Sequence, residues 1–294
     1  MTETNPDLSH PGSSPGRSNG WRGVAVDGPG QTDYVTHTAT LRGNVRHRLI
    51  TRALHRHLPP PPARVLDVGG GNGVQARSLA RLGYDVTVVE PDPVMLRAAE
   101  DGLAREPGLV RDRIRLVAGD GFAVAELVGR GWDVTLCHGV IMFVPEPERL
   151  LAVLAGVTRP GGIISVVGKT AAAWALRAGL QRRWQDVTAL LRADAAPESG
   201  PAPGATSAAQ RAASAAQRAA SAAAVSAELC RAGTEQLAWY GIRVFTDHLG
   251  DEPPGPDLEA IIDAEWEAGL RDPYRRLARL FHVVHRRAAA TTPA

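Results

Sequence analysis

The residues of this chain whose types and spacing could do chemistry are Asp67, the glycines 69–71, Gly73, Glu90 and Asp120. They stand in "RVLDVGGGNG" (64–73), at the end of "DVTVVE" (85–90) and at the head of "DGF" (120–122). An apolar run that stops at an acid and passes through glycines into a helical pattern lets bare backbone approach a ligand closely. A turn of this kind, delivered to a helix N-terminus, holds a nucleotide or a molecule like one.

Three ligand classes compete for such a turn. A nucleoside triphosphate needs Gly-Lys-Ser/Thr at its end, because a lysine must neutralise the phosphates, and here Asn72-Gly73-Val74-Gln75 follows. A dinucleotide prefers G-x-G-x-x-G/A, whose third small residue lets the helix pack on the sheet; Gly69 and Gly71 fit, but Val74 stands third. That second reading is weakened and stays open. S-adenosylmethionine carries no phosphate and has a positive sulfonium. It asks for room at the glycines (Gly69, Gly70, Gly71), an acid near the turn (Asp67) and a carboxylate at the next strand end for both ribose hydroxyls (Glu90). Asp120-Gly121-Phe122 adds a carboxylate and an apolar ring where the adenine would lie.

The elements that must position these residues are legible as alternating patterns. "ARVLDVG" (63–69), "DVTVVE", "IRLVAGD" (114–120), "WDVTLCHG" (132–139) and "IISVVGK" (163–169) read as strands. "VQARSLARLG" (74–83), "PVMLRAAEDGLA" (93–104), "FAVAELVG" (122–129) and "EPERLLAVLAGV" (146–157) read as the helices between them, and "TLRGNVRHRLITRALHRHL" (40–58) as one ahead of them. Farther on, "GIRVFTD" (241–247) and "RLFHVVHR" (279–286) read as strands around the helix "DLEAIIDAEWEAG" (257–269). Such alternation predicts a doubly wound, mostly parallel α/β sheet of seven strands. The three acid sites then fall at successive carboxyl ends of strands, where open α/β sheets bind ligands.

Composition bounds the rest. The 294 residues, 44% hydrophobic and 22% charged, suit one domain with attachments. Residues 1–33, rich in Gly, Pro, Ser and Asp, read as a disordered tail, so the domain is expected over 34–294. An Ala/Ser-rich insert at about 195–225, containing "AAQRAAS" twice, reads as a solvated helix or disordered segment. Cys137 and Cys230 make neither a disulfide framework nor a metal site. No run is long and apolar enough to span a bilayer, and no secretory signal opens the chain, so a cytoplasmic protein is expected. Net charge is only +2, yet Arg42, Arg46, Arg48, Arg52, Arg56 and Arg64 lie in a stretch without acids. That stretch is either a solvated helix face or an anion-binding one.

With these motifs the chain resembles the class I S-adenosylmethionine-dependent methyltransferases, whose Rossmann-like fold has seven strands with the last antiparallel. Within them it resembles the tRNA 5-carboxymethoxyuridine methyltransferases, through "RGNVR", "LDVGGGNG", "LCHGVIMFV", "GIRVFTDHL" and "DPYRRLARLFHVV". The resemblance implies that Arg46 clamps the methionyl carboxylate and that Gly70, Gly71 and Glu90 hold the cofactor. It also implies that Gly121 and Phe122 border the adenine and that His138 lies beside cofactor and substrate.

Methyl transfer needs alignment more than acid–base chemistry. A carboxylate acceptor, ionised at neutral pH, needs no general base, and none is evident beyond His138. Such an acceptor needs a cation, and Arg243 is the candidate. With tRNA as acceptor, Arg42, Arg48, Arg52 and Arg56 are expected to meet phosphates. The alternatives are an O- or N-methyltransferase of a small metabolite, and a protein that binds the cofactor without catalysis.

Overall fold

A computed structural model describes residues 37–170, 173–194, 221–249 and 252–289. The expected tail at 1–33 and both copies of the repeat lie outside the described residues, apart from Ser221. In chain order the elements are α1 (Leu41–Leu54), β1 (Arg64–Val68), α2 (Val74–Ala80), β2 (Asp85–Glu90), α3 (Pro93–Ala104), α4 (Gly108–Arg111), β3 (Ile114–Ala118) and α5 (Val124–Val128). Then follow β4 (Trp132–His138), α6 (Pro147–Val157), β5 (Thr158–Lys169), α7 (Ala173–Leu180), α8 (Trp184–Asp194) and α9 (Ala222–Arg231). The last are β6 (Thr234–Ile242), α10 (Leu258–Gly269), α11 (Tyr274–Leu277) and β7 (Leu280–Arg287).

The strands form one seven-stranded sheet in the order β3-β2-β1-β4-β5-β7-β6, parallel except for β7, which runs antiparallel to both neighbours. The chain walks outward from β1 to β3 and then crosses back to β4. This puts the reversal of strand order at the carboxyl ends of β1 and β4, with Asp67 opposite Leu136. Both sheet faces are covered, which is why the inner strands are apolar without alternation. Val65, Val88 and Val134 face Leu49, Ile50 and Leu54 of α1 and Leu79 of α2. Leu66, Val89 and Ile164 face Leu150, Leu151 and Leu154 of α6 and Leu229 of α9. Truncating Leu154, which is wholly buried, to alanine would cost about 2–5 kcal/mol.

Local chemistry starts the helices where the sequence places them. The Thr40 hydroxyl accepts from Gly43 N–H at 3.2 Å and caps α1. The Asp92 carboxylate accepts from Val94 N–H at 2.7 Å ahead of Pro93, and so caps α3. Ser221 caps α9, and Val225 and Leu229 bury that helix against the sheet, so the Ala-rich composition gives way to a packed helix from residue 222 onward.

Two expectations are corrected. The strand predicted at 241–247 is instead β6, which ends at Ile242. Arg243 has a φ of 64°, and the next three residues turn away. Their β-branched and aromatic side chains imitate a strand, but their N–H groups bond to a buried carboxylate, that of Glu265. The basic run is not a free phosphate-binding face either. Arg42 is buried, Arg48 pairs with Glu259, and Arg52 pairs with Asp263 at 2.7 Å, both acids standing on α10. The guanidiniums of Arg52 and Arg56 each lie 4.8 Å from the Trp266 ring centre. The acids missing between residues 33 and 67 are thus supplied more than 190 residues later.

Candidate cofactor site

The glycine turn sits at the reversal of strand order. Gly69, Gly71 and Gly73 have φ of 68°, 57° and 68°, a region that side chains rarely tolerate. A Cβ on Gly70 would stand 2.7 Å from Asp67 Oδ2 and 2.9 Å from Val88, so that position has no room for a side chain. The turn is tied to the sheet by Gly69 N–H, which donates to the Val89 carbonyl at 2.7 Å.

Against this turn opens a narrow cleft. Arg46, Asp67, Gly69, Gly70 and His138 line it, five of the residues expected there. Asp67 is buried, and its Oδ2 makes no hydrogen bond. Burial pushes its carboxyl up to about 7, the nearby Glu90 adds to the rise, and Arg46 opposes it. Arg46 reaches in from α1 and donates through Nη2 to the His138 carbonyl at 3.3 Å, so it ties α1 to the end of β4. A Cβ on Gly139, whose φ is 86°, would stand 3.0 Å from that Nη2.

Glu90 stands at the end of β2, buried, with Oε2 accepting from Gly71 N–H at 2.9 Å and Oε1 accepting from Asp92 N–H at 3.0 Å. Burial raises its pKa, and these two donors hold it down. A carboxylate has about four lone-pair sites, so each oxygen can accept once more. Asp120 accepts from Phe122 N–H at 2.9 Å and so caps the short turn Gly121–Ala123. Gly121 is packed against Val68 and Leu150, and the Arg149 guanidinium lies 5.0 Å from the Phe122 ring centre. The segment adjoins β2 through Gly119 N–H, which donates to the Glu90 carbonyl at 3.1 Å.

His138 is engaged on one side: its Nε2 lies 2.8 Å from the Ser165 hydroxyl, which lies 2.7 Å from His282 Nε2. Burial, His282 and Arg46 together hold the His138 pKa well below its ordinary value. The imidazole is therefore neutral and a weak base.

Sequence reasoning missed five lining residues: His47, Ile50, Asn72, Val74 and Gln75. Ile50 follows Arg46 on the same helix face at a spacing of four, so accepting Arg46 as an inward residue would have found it; His47, one position on, has no such signal. Burial pushes the His47 pKa down to about 3.

Arg243 does not line this cleft but stands close enough to Arg46, which does, for their charges to interact. It is buried in the turn after β6 and not on an exposed strand edge. Its Nη2 donates to Asp247 Oδ1 at 3.0 Å, and its Nε has no partner. Burial lowers its pKa to about 10; Asp247 opposes this, while Arg279, Arg46 and Arg42 add to it.

The residues fit S-adenosylmethionine and disfavour a pyrophosphate. An orphaned buried carboxylate oxygen at Asp67 favours a cationic ligand, and Asp67 with Glu90 would repel phosphates placed at the turn. Arg46 would meet the methionyl carboxylate, Glu90 the ribose hydroxyls, and Gly121 and Phe122 would border the adenine.

Comparison with known proteins agrees. Residues 66–166 match the family described as a methyltransferase domain (Methyltransf_11). The chain is 27% identical over 252 residues to the tRNA 5-carboxymethoxyuridine methyltransferase of Escherichia coli (strain K12), covering 84% of this chain and 90% of the relative. It is 34% identical over 121 residues to the ubiquinone biosynthesis O-methyltransferase of Xanthomonas axonopodis pv. citri (strain 306), covering 40% of this chain and 49% of the relative. Among solved structures, the [4+2]-cyclase SpnF shares the fold with a TM-score of 0.53 and 20% identity, over 83% of this chain and 81% of the cyclase. A cyclase on the same fold means that the reaction is to be argued from the site.

Proposed function

This chain is an S-adenosylmethionine-dependent methyltransferase of the class I fold, and we propose that its acceptor is a carboxylate, that of a modified wobble uridine in tRNA. The observation that carries this reading is Arg243, a buried cation close to the cofactor cleft with an unpartnered Nε. Such a cation would hold and orient a carboxylate, which needs no deprotonation to react. Held by the glycine turn, Arg46 and Glu90, the cofactor would supply an electrophilic methyl for a carboxylate oxygen, so that the products would be a methyl ester and S-adenosylhomocysteine.

The E. coli relative, matched along nearly its whole length, is named for this modified uridine. A tRNA acceptor would also place the enzyme in the cytoplasm. The ubiquinone-pathway relatives support a second reading, an O-methyltransferase of a small phenol, but they match only 40% of this chain. A phenol acceptor would need its proton removed, and His138 is bonded to Ser165 and held neutral by burial. Labelled cofactor offered with tRNA from cells lacking the final methylation, and separately with ubiquinone precursors, tests the reading. Label is expected in a methyl ester of the wobble nucleoside. Label in the phenol alone would overturn it.

A further inference from the structure

We infer that Arg279, Trp174 and Thr170 form an anion subsite beside Arg243 that takes a phosphate oxygen of the acceptor. The inference rests on the carboxylate reading of Arg243 and extends it to a second group on the same substrate.

Around Asp247 the structure gathers more positive charge than that one carboxylate can answer. Arg243 Nη2 lies 3.0 Å from it, Arg279 Nε 3.8 Å and Arg177 Nη1 3.9 Å. Arg243 and Arg279 are both about nineteen-twentieths buried, and their backbones adjoin, since Arg279 N–H donates to the Arg243 carbonyl at 3.0 Å. Buried guanidiniums in excess over carboxylates are costly unless an anion completes the set.

Unpartnered donors collect at the same place. Arg279 Nη1, Trp174 Nε1 and the Thr170 hydroxyl are buried atoms without a hydrogen bond, as are Arg243 Nε and one acceptor among them, Asp247 Oδ2. They belong to one neighbourhood: the Arg279 guanidinium lies 3.6 Å from the Trp174 ring centre, and Thr170 N–H donates to the Arg279 carbonyl at 3.0 Å. Each buried donor left without a partner is unfavourable, and four donors against the single orphaned oxygen of Asp247 point to a missing acceptor. A carboxylate at Arg243 would use one of them. The remaining guanidinium, indole and hydroxyl donors suit a group with more than two acceptor oxygens, and a guanidinium pairs well with phosphate.

The test uses the full chain with S-adenosylhomocysteine bound, and compares 5-carboxymethoxyuridine with its 3′,5′-bisphosphate by calorimetry. The bisphosphate is expected to bind about tenfold more tightly, the yield of one charge-assisted hydrogen bond. In Arg279→Gln and in Trp174→Phe that ratio should fall toward one, and inorganic phosphate should compete with the bisphosphate and not with the nucleoside. Equal affinities in the wild type, or a ratio that survives both substitutions, would overturn the subsite. Should Arg279→Gln fail to fold, Trp174→Phe decides by the same ratio. If inorganic phosphate binds in an Arg279-dependent way while neither carboxylated ligand binds, the subsite stands and the acceptor reading fails.

Discussion

Glu265 holds Arg243 in place without touching its side chain. Wholly buried on α10, its carboxylate accepts N–H groups from Val244 at 2.5 Å, Phe245 at 3.0 Å and Thr246 at 2.8 Å, and the Thr246 hydroxyl at 2.7 Å. Three successive N–H groups converging on one acid wrap the chain around it. Arg243, just before them, takes a left-handed conformation that a long side chain adopts only when its surroundings impose it.

Replacing Glu265 should therefore affect the acceptor before the cofactor. Glu265→Ala strands three N–H groups, at roughly 1–3 kcal/mol each if they stay buried, so the melting temperature should drop by many degrees. Glu265→Gln keeps one acceptor oxygen and should fold better. In that variant KM for the acceptor should rise severalfold while S-adenosylhomocysteine affinity stays near wild type. An unchanged acceptor KM would show that the turn does not need the acid.

Asp67 should make cofactor binding pH-dependent. Its folded pKa, near 7, lies above the ordinary value of 3.8, so the folded protein keeps a proton that the unfolded chain has released. This group's contribution to stability therefore falls as pH rises from about 4 to 7. A cationic ligand favours the ionised form, so S-adenosylmethionine should bind more tightly as pH rises from 6 to 8, with proton release at the low end. Calorimetry in buffers of different ionisation enthalpy reads that release, and Asp67→Asn should abolish it. Proton release that persists in Asp67→Asn would assign it elsewhere.

Glu90 holds the loop and should also hold the ligand. Glu90→Gln exchanges one acceptor oxygen for an N–H₂ that faces either Gly71 N–H or Asp92 N–H, so the glycine turn should loosen as the ribose contact is lost. At least a tenfold fall in S-adenosylhomocysteine affinity is expected, since hydrogen bonds to a charged acceptor contribute about 1.5–3 kcal/mol each. Wild-type affinity in this variant would remove Glu90 from the site.

Asp67, the glycine turn and Glu90 were legible because each ends or follows a strand that reads clearly, whereas Arg46 stands on α1 and was expected only from the resemblance. "LDVGGGNG" and the acid at the end of "DVTVVE" carry local signals, a turn that needs glycine and a strand that stops at a charge. The surroundings of Arg243 were not legible, because they are assembled by contacts remote in sequence. The turn at 243–247 reads as a strand until Glu265 is known to cap its N–H groups, and α7, which carries Trp174 and Arg177, has no motif. The basic face of α1 misled for the same reason, since its partners Glu259 and Asp263 lie 211 residues away.

Those pairs change what salt should do. Arg48 and Arg52 already have carboxylate partners on α10, and exposed pairs of this kind are weak, about 0–1 kcal/mol. Replacing both by glutamine should lower the melting temperature by a few degrees at most and should leave tRNA affinity within about twofold of wild type. A loss of tenfold or more would mean that these arginines leave α10 for RNA phosphates.

The acceptor itself is decided at Arg243. If it pairs with the carboxylate of the modified uridine, Arg243→Ala should cut turnover on carboxylated tRNA by a hundredfold or more, because a charge-assisted pair that also orients the nucleophile is lost. Affinity for tRNA lacking the carboxymethoxy group should barely change, since that ligand has nothing for Arg243 to hold. Arg243→Lys keeps a positive charge but not the planar fork, and its backbone must still adopt the φ of 64°. It should therefore recover only part of the rate. A purely structural Arg243 would behave differently: both tRNAs would lose affinity together, and the melting temperature would fall with them. The two patterns separate in one set of binding curves on modified and unmodified tRNA, measured beside the single-turnover rate. Equal losses on both tRNAs would remove Arg243 from the acceptor site.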